Sequence, residues 1–450
     1  MIRLRIAAAL LLSLLVAAWS FAQSAQAPSR PASAATRSAA DANPPQFRVA
    51  SVDEAWRARL PRNAAAATQA YLDRLPADVV ARSNAYFEGG YWLQLWNFLA
   101  GLVAAAAMLH GEHSARVRDW SMRVGRKRFL ADAVYGAVYM VASFILTLPL
   151  TIYQGFVREH AYGMATQDLA AWGLEQLVGL SVSVVVGAWV VSVLYITLRR
   201  AGQRWWLWGA LTATVMLALI MLVSPIWIDP LFNTYKPVED GPIKSSVLAM
   251  AQANGVPADN VFEFDASRQT TRISANVTGI FGSAAVRLND NLLRRSSPPE
   301  IRAVMAHELG HYVMNHIPKM LLQMAVYSMA AFLFAQWAMV RLLERKGSAW
   351  GLTSVADVAG LPLMVAVISV FIFVTMPVLN TMVRTQEMEA DRFGLNLARE
   401  PHGAAEAYLQ LVEYRKPDPG PIEEGVFFDH PSARTRILQA MRWREAMGSP

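Results

Sequence analysis

The chain has 450 residues, of which 54% are hydrophobic and 17% are charged. Soluble globular proteins carry about 25% charged residues, so the composition argues against an ordinary soluble protein and favours apolar membrane spans with one polar domain. The formal net charge is +7, and the absence of cysteine excludes disulfide bonds, thiolate metal sites and cysteine nucleophiles.

The N-terminal region contains a candidate targeting segment. Residues 1–26 run from basic MIRLR through an apolar stretch to small residues, which is typical of a secretory signal peptide. The alternative interpretation is an uncleaved first membrane helix. Residues 27–45 are rich in Ala, Pro and Ser and predict a flexible linker. Residues 46–90 predict short amphipathic helices near the membrane surface.

Long apolar segments follow this region. A helix of about 20 apolar residues crosses a hydrocarbon core of about 30 Å. The segments lie near residues 91–109, 133–153, 177–198, 206–227, 320–340 and 358–379. Counting residues 1–26 as a helix, the sequence predicts six to seven transmembrane helices.

Two polar regions remain, at about 228–319 and 380–450. In the first, VFEFDASR, TTRISANVTGIFG and SAAVRLNDNLL predict short strands with turns. A helix is expected to start next, with Ser297 as its cap, Pro298 in the first turn and Glu300 completing a capping box.

The predicted domains follow from these boundaries. They are a signal peptide or first helix at 1–26, a linker and amphipathic region at 27–90, four transmembrane helices at 91–227, a metallopeptidase domain at 228–319, two transmembrane helices at 320–379, and the C-terminal part of the peptidase domain at 380–450.

The basic residues predict the orientation in the membrane. Alternation places the loops after the first, third and fifth apolar segments on one side, and the positive-inside rule makes that side cytoplasmic. We therefore expect a multi-pass protein of a bacterial inner membrane with its polar regions on the extracytoplasmic side. Because these charges flank membrane spans, no nucleic-acid partner is expected. The charges are Arg116, Arg118, Arg123, Arg126, Lys127, Arg128, Arg199, Arg200, Arg204, Arg341, Arg345 and Lys346.

The motif HELGH, at residues 307–311, is the sharpest chemical signal. Positions i and i+4 share a helix face, so His307 and His311 can bind one zinc ion. Glu308 is then placed to meet the metal-bound water as general base, which is the arrangement of zinc metalloproteases. One Zn²⁺ per chain is the predicted cofactor.

A catalytic zinc usually takes a third protein ligand. The stretch NTMVRTQEMEADRFG offers Glu387, Glu389 and Asp391 on a predicted helix. We assign Glu387 as the ligand and Asp391 as a carboxylate that orients a histidine, on a face shared with Arg384. The alternative is a solvated charged face with ion pairs.

Further downstream, the segment FFDHPSARTRI contains a candidate for transition-state stabilisation. His430 is predicted to stabilise the oxyanion that forms during attack on a carbonyl, with Arg436 beside it. Arg436, Arg384 and Asp391 are assigned supporting structural roles around the site. A lone histidine beside proline is otherwise more often structural.

In this order, these motifs resemble the type 1 CAAX prenyl protease family. The resemblance covers roughly residues 70–445. It rests on HELGH, on PLFNTYKP, on the FDASR…TG…LND block, on R-x-x-E-x-x-A-D at Arg384, Glu387, Ala390 and Asp391, and on HP followed by Arg-Ile at His430, Pro431, Arg436 and Ile437.

The resemblance implies a mainly α fold and a zinc endopeptidase activity. Its members are integral-membrane proteins whose helices form a bundle that encloses a chamber, capped by a zincin-like metalloprotease domain with a small β-sheet. It implies zinc ligands at His307, His311 and Glu387, Glu308 as base and His430 in the transition state. It also implies that the strand at Ser274, Ala275 and Asn276 pairs with an extended substrate.

Two departures from the family pattern stand out. Eukaryotic members typically read HSNAYF where this chain has RISANV, so Ser274 replaces the expected Asn. Those members also keep zinc on the cytosolic side, whereas the charges here place it outside. We therefore predict extended peptide or membrane-protein substrates, admitted through gaps in the helical bundle, without carrying over the prenyl specificity.

Two other functions compete with this prediction. One is a heat-shock-type membrane quality-control zinc protease, which shares HExxH but is shorter and has fewer spans. The other is a transporter or lipid-binding chamber with a vestigial zinc site. A binding protein has no need of Glu308, so loss of activity in Glu308→Gln separates these classes.

Overall fold

The computed structural model describes residue 49, residues 52–279 and residues 284–448. The predicted signal peptide or first helix at 1–26 and the predicted linker at 27–45 lie outside the described residues.

The described chain begins with two short helices. Asp53 and Asn63 cap them, and each side chain accepts a hydrogen bond from a first-turn backbone N–H, as polar caps do. These helices are α1 (Glu54–Ala58) and α2 (Ala64–Leu72).

Long apolar helices make up the next region. The first begins at Ala77, so residues 77–90 belong to a membrane-type helix rather than to a separate short one. The helices are α3 (Ala77–Leu109), α4 (His113–Gly125), α5 (Arg128–Ile152), α6 (Arg158–Ala161), α7 (Leu169–Ala201) and α8 (Trp205–Val223).

A small mixed sheet follows, in the region where short strands were predicted. Its order is β1-β2-β4-β3, with β2 and β4 parallel and the other two pairs antiparallel. The elements are β1 (Tyr235–Pro237), α9 (Pro242–Ala253), β2 (Val261–Phe264), β3 (Ala275–Thr278), β4 (Ala285–Asn289) and α10 (Asp290–Arg295).

The remaining helices alternate between the peptidase region and the membrane bundle. The HELGH motif lies on the first of them, and the longest one carries Glu387 and Asp391. They are α11 (Pro298–Val313), α12 (His316–Lys346), α13 (Leu361–Ala398), α14 (Pro401–Gln410), α15 (Pro421–Phe427) and α16 (Ala433–Met447).

Within the described part of the chain, five continuous helical runs are long and apolar enough to cross a membrane. The run Leu169–Leu231 contains both α7 and α8, so each of the six predicted apolar segments lies in a helix. Large apolar side chains such as Trp92, Ile145, Val326 and Val374 are exposed on these helices. A surface of this kind is suited to lipid rather than to water.

The bundle and the sheet region are joined by polar contacts at one end of the helices. Arg272, next to β3, donates to Glu159 at the end of α5–α6 over 2.6 Å. Gln269 donates to Glu175 on α7 over 2.8 Å. At the opposite end, Arg118 contacts Asp357 over 2.5 Å, which ties the first basic loop to the loop before α13.

The N-terminal helices pack on the peptidase region. Tyr71 and Ala67 of α2 are fully buried in one cluster with Leu409 of α14 and Ile437 of α16. The amphipathic pattern of this segment is therefore explained by burial against α14 and α16.

The predicted capping box differs in detail. Ser297 caps α11, but its hydroxyl donates to the Glu300 carboxylate over 2.8 Å rather than accepting from a backbone N–H. The Glu300 carboxylate is buried and also accepts from Gln410 of α14. A buried carboxylate needs such donors, and it therefore takes the serine hydroxyl.

Candidate metal centre

His307 and His311 lie one turn apart on α11, as the motif spacing predicted. Their Nε2 atoms face each other at 3.1 Å. His307 is buried, while His311 is half-buried. Burial lowers the pKa of His311 to about 3, which keeps its ring neutral and able to donate a lone pair.

Helix α13 brings a carboxylate to the same point. Glu387 Oε2 lies 3.3 Å from His307 Nε2, and Glu387 Oε1 lies 3.4 Å from His311 Nε2. The close crossing of α13 over α11 depends on Gly394. A Cβ atom there would stand 2.9 Å from the His307 backbone nitrogen, which has no room to move.

These three side chains fit a metal ion. Ligand atoms bound to one zinc at about 2.1 Å with tetrahedral angles are about 3.4 Å apart, close to the separations seen here. His307, His311 and Glu387 each offer a ligand atom, and these atoms lie within 4.8 Å of one another. Glu387 Oε2 is buried without a hydrogen-bond partner among the described residues, as expected of an atom reserved for a cation.

A buried network holds His307 from behind. Its Nδ1 lies 2.8 Å from Asp391 Oδ1, and since a carboxylate only accepts, Nδ1 donates and Nε2 presents its lone pair to the metal position. Asp391 also accepts from Tyr408 Oη over 2.9 Å and from Arg436 Nε over 2.8 Å. Asp391 therefore contacts the ring nitrogen of His307 that faces away from the candidate metal position.

Two arginines singled out in the sequence make supporting contacts. Arg436 is buried and lines the same cavity as His430; its guanidinium donates to Asp391 and lies 3.3 Å from His307 Nδ1. Arg384 donates to the backbone oxygens of Glu424 and Phe428, at 3.0 and 2.5 Å. It therefore fixes the segment leading to His430 and touches no metal ligand.

The structure adds a second histidine support that spacing did not predict. His316 is buried, with Nδ1 2.9 Å from His311 Nδ1. Its Nε2 lies 3.2 Å from Glu389 Oε2. Tyr408 was also missed, because no local pattern links α14 to Asp391.

Glu308 and His430 lie beside the three candidate ligands in one cavity. The cavity has a volume of about 340 Å³, and both side chains line it. His430 Nε2 lies 3.4 Å from Glu387 Oε1. Burial raises the pKa of Glu308 to about 7. A water molecule and a peptide carbonyl can therefore meet both groups at this point.

The strand segment predicted to pair with substrate borders the same cavity. Ser274 and Ala275 line it, whereas Asn276 does not. The backbone of Ser274 faces β4, because Asn289 N donates to Ser274 O over 2.9 Å. Alternation in an antiparallel pair then directs the backbone groups of Ala275 away from β4, toward the free edge of β3.

Two family descriptions match adjacent parts of the chain. "Peptidase family M48" matches residues 237–444. "CAAX prenyl protease N-terminal, five membrane helices" matches residues 58–234. Together they cover the membrane bundle, the sheet and both segments that supply the candidate ligands.

Individual relatives agree with these matches. The chain is 29% identical over 335 residues to the uncharacterized metalloprotease YhfN of Bacillus subtilis, covering 74% of this chain and 78% of that protein. It is 31% identical over 196 residues to CAAX prenyl protease 1 of Saccharomyces cerevisiae, covering 42% of each.

A solved structure shows the same fold. The crystal structure of S. mikatae Ste24p superposes with a TM-score of 0.69 at 20% identity, covering 82% of this chain and 90% of that one. These findings favour neither the heat-shock-type protease nor the transporter with a vestigial site. The chain is an integral-membrane metalloendopeptidase of peptidase family M48, and it belongs to the type 1 CAAX prenyl protease family.

Proposed function

We propose that this protein cleaves extended peptide segments of exported or membrane-associated proteins, with one zinc ion held by His307, His311 and Glu387. The observation that carries the proposal is the convergence of two imidazole nitrogens and one carboxylate at separations of 3.1 to 3.4 Å. Zinc in such a site supplies Lewis acidity, which activates water and polarises the scissile carbonyl.

Side chains of this protein are proposed to carry out proton transfer, oxyanion stabilisation and orientation of the ligand His307. Glu308 accepts the proton of the attacking water and passes it to the leaving amine. His430, on the other side of the Glu387 carboxylate, donates a hydrogen bond to the developing oxyanion. Asp391 keeps the His307 ring in the tautomer and orientation that ligation needs.

The substrate backbone is proposed to extend β3 at its free edge. The outward-facing groups of Ala275 are available for this pairing, and Ser274 continues the same wall of the cavity. Strand addition gives affinity through main-chain hydrogen bonds, which suits a protease that acts on varied sequences. Asn276 pairs with Arg287 of β4 and does not line the cavity.

Two variants test the metal and base assignments separately. Glu308→Gln is expected to keep zinc and to lose at least about a hundredfold in turnover, because general-base catalysis contributes that much. His307→Ala is expected to lose zinc. The measurements are metal content and cleavage of a quenched fluorescent peptide by purified protein in detergent.

Matched controls are available on exposed parts of the chain. Glu344→Gln and His110→Ala make the same chemical changes at exposed positions outside the cavity and should change neither zinc content nor turnover. Appreciable turnover by Glu308→Gln would remove its role as base, and full zinc occupancy in His307→Ala would refute the ligand set.

We further propose that the peptidase region lies on the extracytoplasmic side of an inner membrane. The basic loops gather at the end of the helices opposite the sheet, which supports this orientation through the positive-inside rule. Because the chain has no cysteine, single introduced cysteines report cleanly. In intact cells, an impermeant maleimide should label Asp240→Cys and not Glu344→Cys, and the reverse labelling would overturn the orientation.

A further inference from the structure

The cavity at the candidate metal centre contains two arginines in different situations. Arg436 is buried and bound to Asp391. Arg415 is half-buried and lines the same cavity, yet its side chain makes no hydrogen bond or ion pair with any residue of 52–279 or 284–448. It is the cation of the cavity wall that the proposed catalytic machinery does not use.

The surroundings of Arg415 hold its backbone and leave its guanidinium free. Its backbone N–H donates to Leu411 O over 2.9 Å. The following residue, Lys416, is fully engaged, at 2.6 Å from Glu88 and 2.8 Å from Glu423. The carboxylate of Asp429, a nearby acid, lies 2.9 Å from His430 Nδ1.

Arg415 also occupies a position that a bound peptide would pass. The preceding Tyr414 reaches back to Ile273 O over 3.5 Å, which places this turn beside the start of the substrate-pairing strand. Arg415 lines a second, adjoining cavity together with Phe87 and Phe428. The side chain therefore stands where the catalytic cavity continues toward the membrane helix α3.

We propose that Arg415 binds a carboxylate of the substrate, either its C-terminal carboxylate or an Asp or Glu side chain near the scissile bond. This inference rests on the proposed peptidase function. A guanidinium withdrawn from water is stabilised by a planar two-oxygen acceptor, and its fork geometry matches a carboxylate. The two carboxylates that line the cavity, Glu308 and Glu387, are assigned to the base and the metal, and other lining residues such as Ala303, Ala404 and Leu411 are apolar.

Binding to an inactive protein tests the proposal directly. Zinc-loaded Glu308→Gln protein is titrated with fluorescent peptides of one sequence, carrying a free C-terminus or a carboxamide, and an internal Asp or Asn. The carboxylate form should bind about tenfold or more tightly than its neutral counterpart, since close charge pairs at half-buried sites contribute that much. The pair that shows the preference identifies the source of the carboxylate.

Changes at Arg415 should remove that preference alone. In the same background, Arg415→Gln should bind acid and neutral peptides equally, while Arg415→Lys keeps part of the difference. Arg434→Gln is the matched control, because Arg434 pairs with Asp418 and does not line the cavity. Two results would overturn the proposal. One is equal binding of acid and neutral peptides by the Glu308→Gln protein that retains Arg415; the other is a preference for acid peptides that survives Arg415→Gln.

Cleavage assays keep the two proposals distinguishable. If wild-type protein cleaves acid and neutral peptides with equal kcat/KM, the Arg415 assignment fails and the peptidase function stands. If it cleaves no peptide, the proposed function fails, and the binding titrations still decide whether Arg415 recognises a carboxylate.

Discussion

The two histidines of the candidate metal centre are supported in contrasting ways. His307 donates a hydrogen bond to Asp391, which also accepts hydrogen bonds from Tyr408 and Arg436, and all of these groups are buried. His311 contacts His316 through their Nδ1 atoms, and His316 Nε2 lies 3.2 Å from Glu389 Oε2. The Glu389 side chain is 37% exposed, and its second partner, Lys319, is 47% exposed.

The difference indicates that the buried network around His307 fixes the geometry of the metal centre. The partly exposed contacts behind His311 have a weaker influence on it. Hydrogen bonds and charges in a buried network are strong when complete and costly when broken. Exposed charges are screened by water and salt, so each contributes little. We therefore expect large effects from substitutions near His307 and small ones from substitutions near His311.

The largest effect is expected from Asp391→Asn. It leaves Arg436 buried without its counter-charge, which costs about 3–5 kcal/mol of stability. It also weakens the orientation of His307, which lowers zinc affinity by about 10- to 100-fold. Thermal unfolding and competition with a zinc chelator measure the two effects.

The control is Asp418→Asn, at an exposed carboxylate that pairs with Arg434 on the same region. It should cost less than about 1 kcal/mol. Wild-type zinc affinity in Asp391→Asn would contradict the role of the buried network.

A second test breaks the close helix crossing behind His307. Gly394→Ala places a Cβ atom 2.9 Å from the His307 backbone nitrogen, so α13 must move away from α11. We expect a loss of about 1–3 kcal/mol in stability, the usual cost of overpacking, together with weaker zinc binding.

Gly310→Ala should cost less, because its Cβ would have longer contacts, with the Phe393 ring at 3.1 Å and the Ala390 backbone at 3.3 Å. Gly179→Ala, with nothing within 4 Å, serves as the neutral helix control. A greater loss in Gly310→Ala than in Gly394→Ala would rule out this explanation of the crossing.

We expect a smaller change from a substitution at Glu389, which lies on the exposed side of His311. Glu389→Gln removes the charge that His316 and Lys319 share, and zinc affinity should fall by only about two- to fivefold, the range of an exposed ion pair. Repeating the chelator titration at high salt should shrink the gap between wild type and variant. A loss as large as that of Asp391→Asn would erase the proposed contrast between the two sides.

The last effect concerns pH. Burial raises the pKa of Glu300 to about 7 from its ordinary value of 4.5. The folded protein therefore holds this proton over a range in which the unfolded chain has lost it, so the stabilisation is present below about pH 4.5 and is lost as pH rises through 7. Wild-type protein should gain Tm between pH 8 and pH 5.5 by more than Glu300→Gln does.

An equal Tm difference in both proteins would show that Glu300 does not contribute. Glu344→Gln is the exposed control and should follow wild type.

Local periodicity explains what the sequence could predict. The helical repeat places His307 and His311 on one face without any knowledge of the fold, and apolar runs of sufficient length locate the membrane helices. Glu387 was predicted from the acidic residues of one helix together with the HELGH motif, and the family pattern names the same residue. These features depend on neighbours in sequence.

The missed features depend on chain reversals and distant packing. Asn315 adopts a left-handed conformation, with φ of 56°, between α11 and α12. That turn brings His316 back onto His311, although a spacing of five residues does not share a helix face. Arg436 and Tyr408 reach Asp391 only through the packing of α14 on α11 and of α16 on α13, which no local pattern encodes.

The most direct test of the account is to locate the metal. Anomalous diffraction at the zinc absorption edge, from crystals of the active protein, should show one peak between His307 Nε2, His311 Nε2 and the Glu387 carboxylate, and His307→Ala should abolish it. Full activity in protein that shows no metal at that point, or a peak elsewhere in the chain, would contradict the central claim.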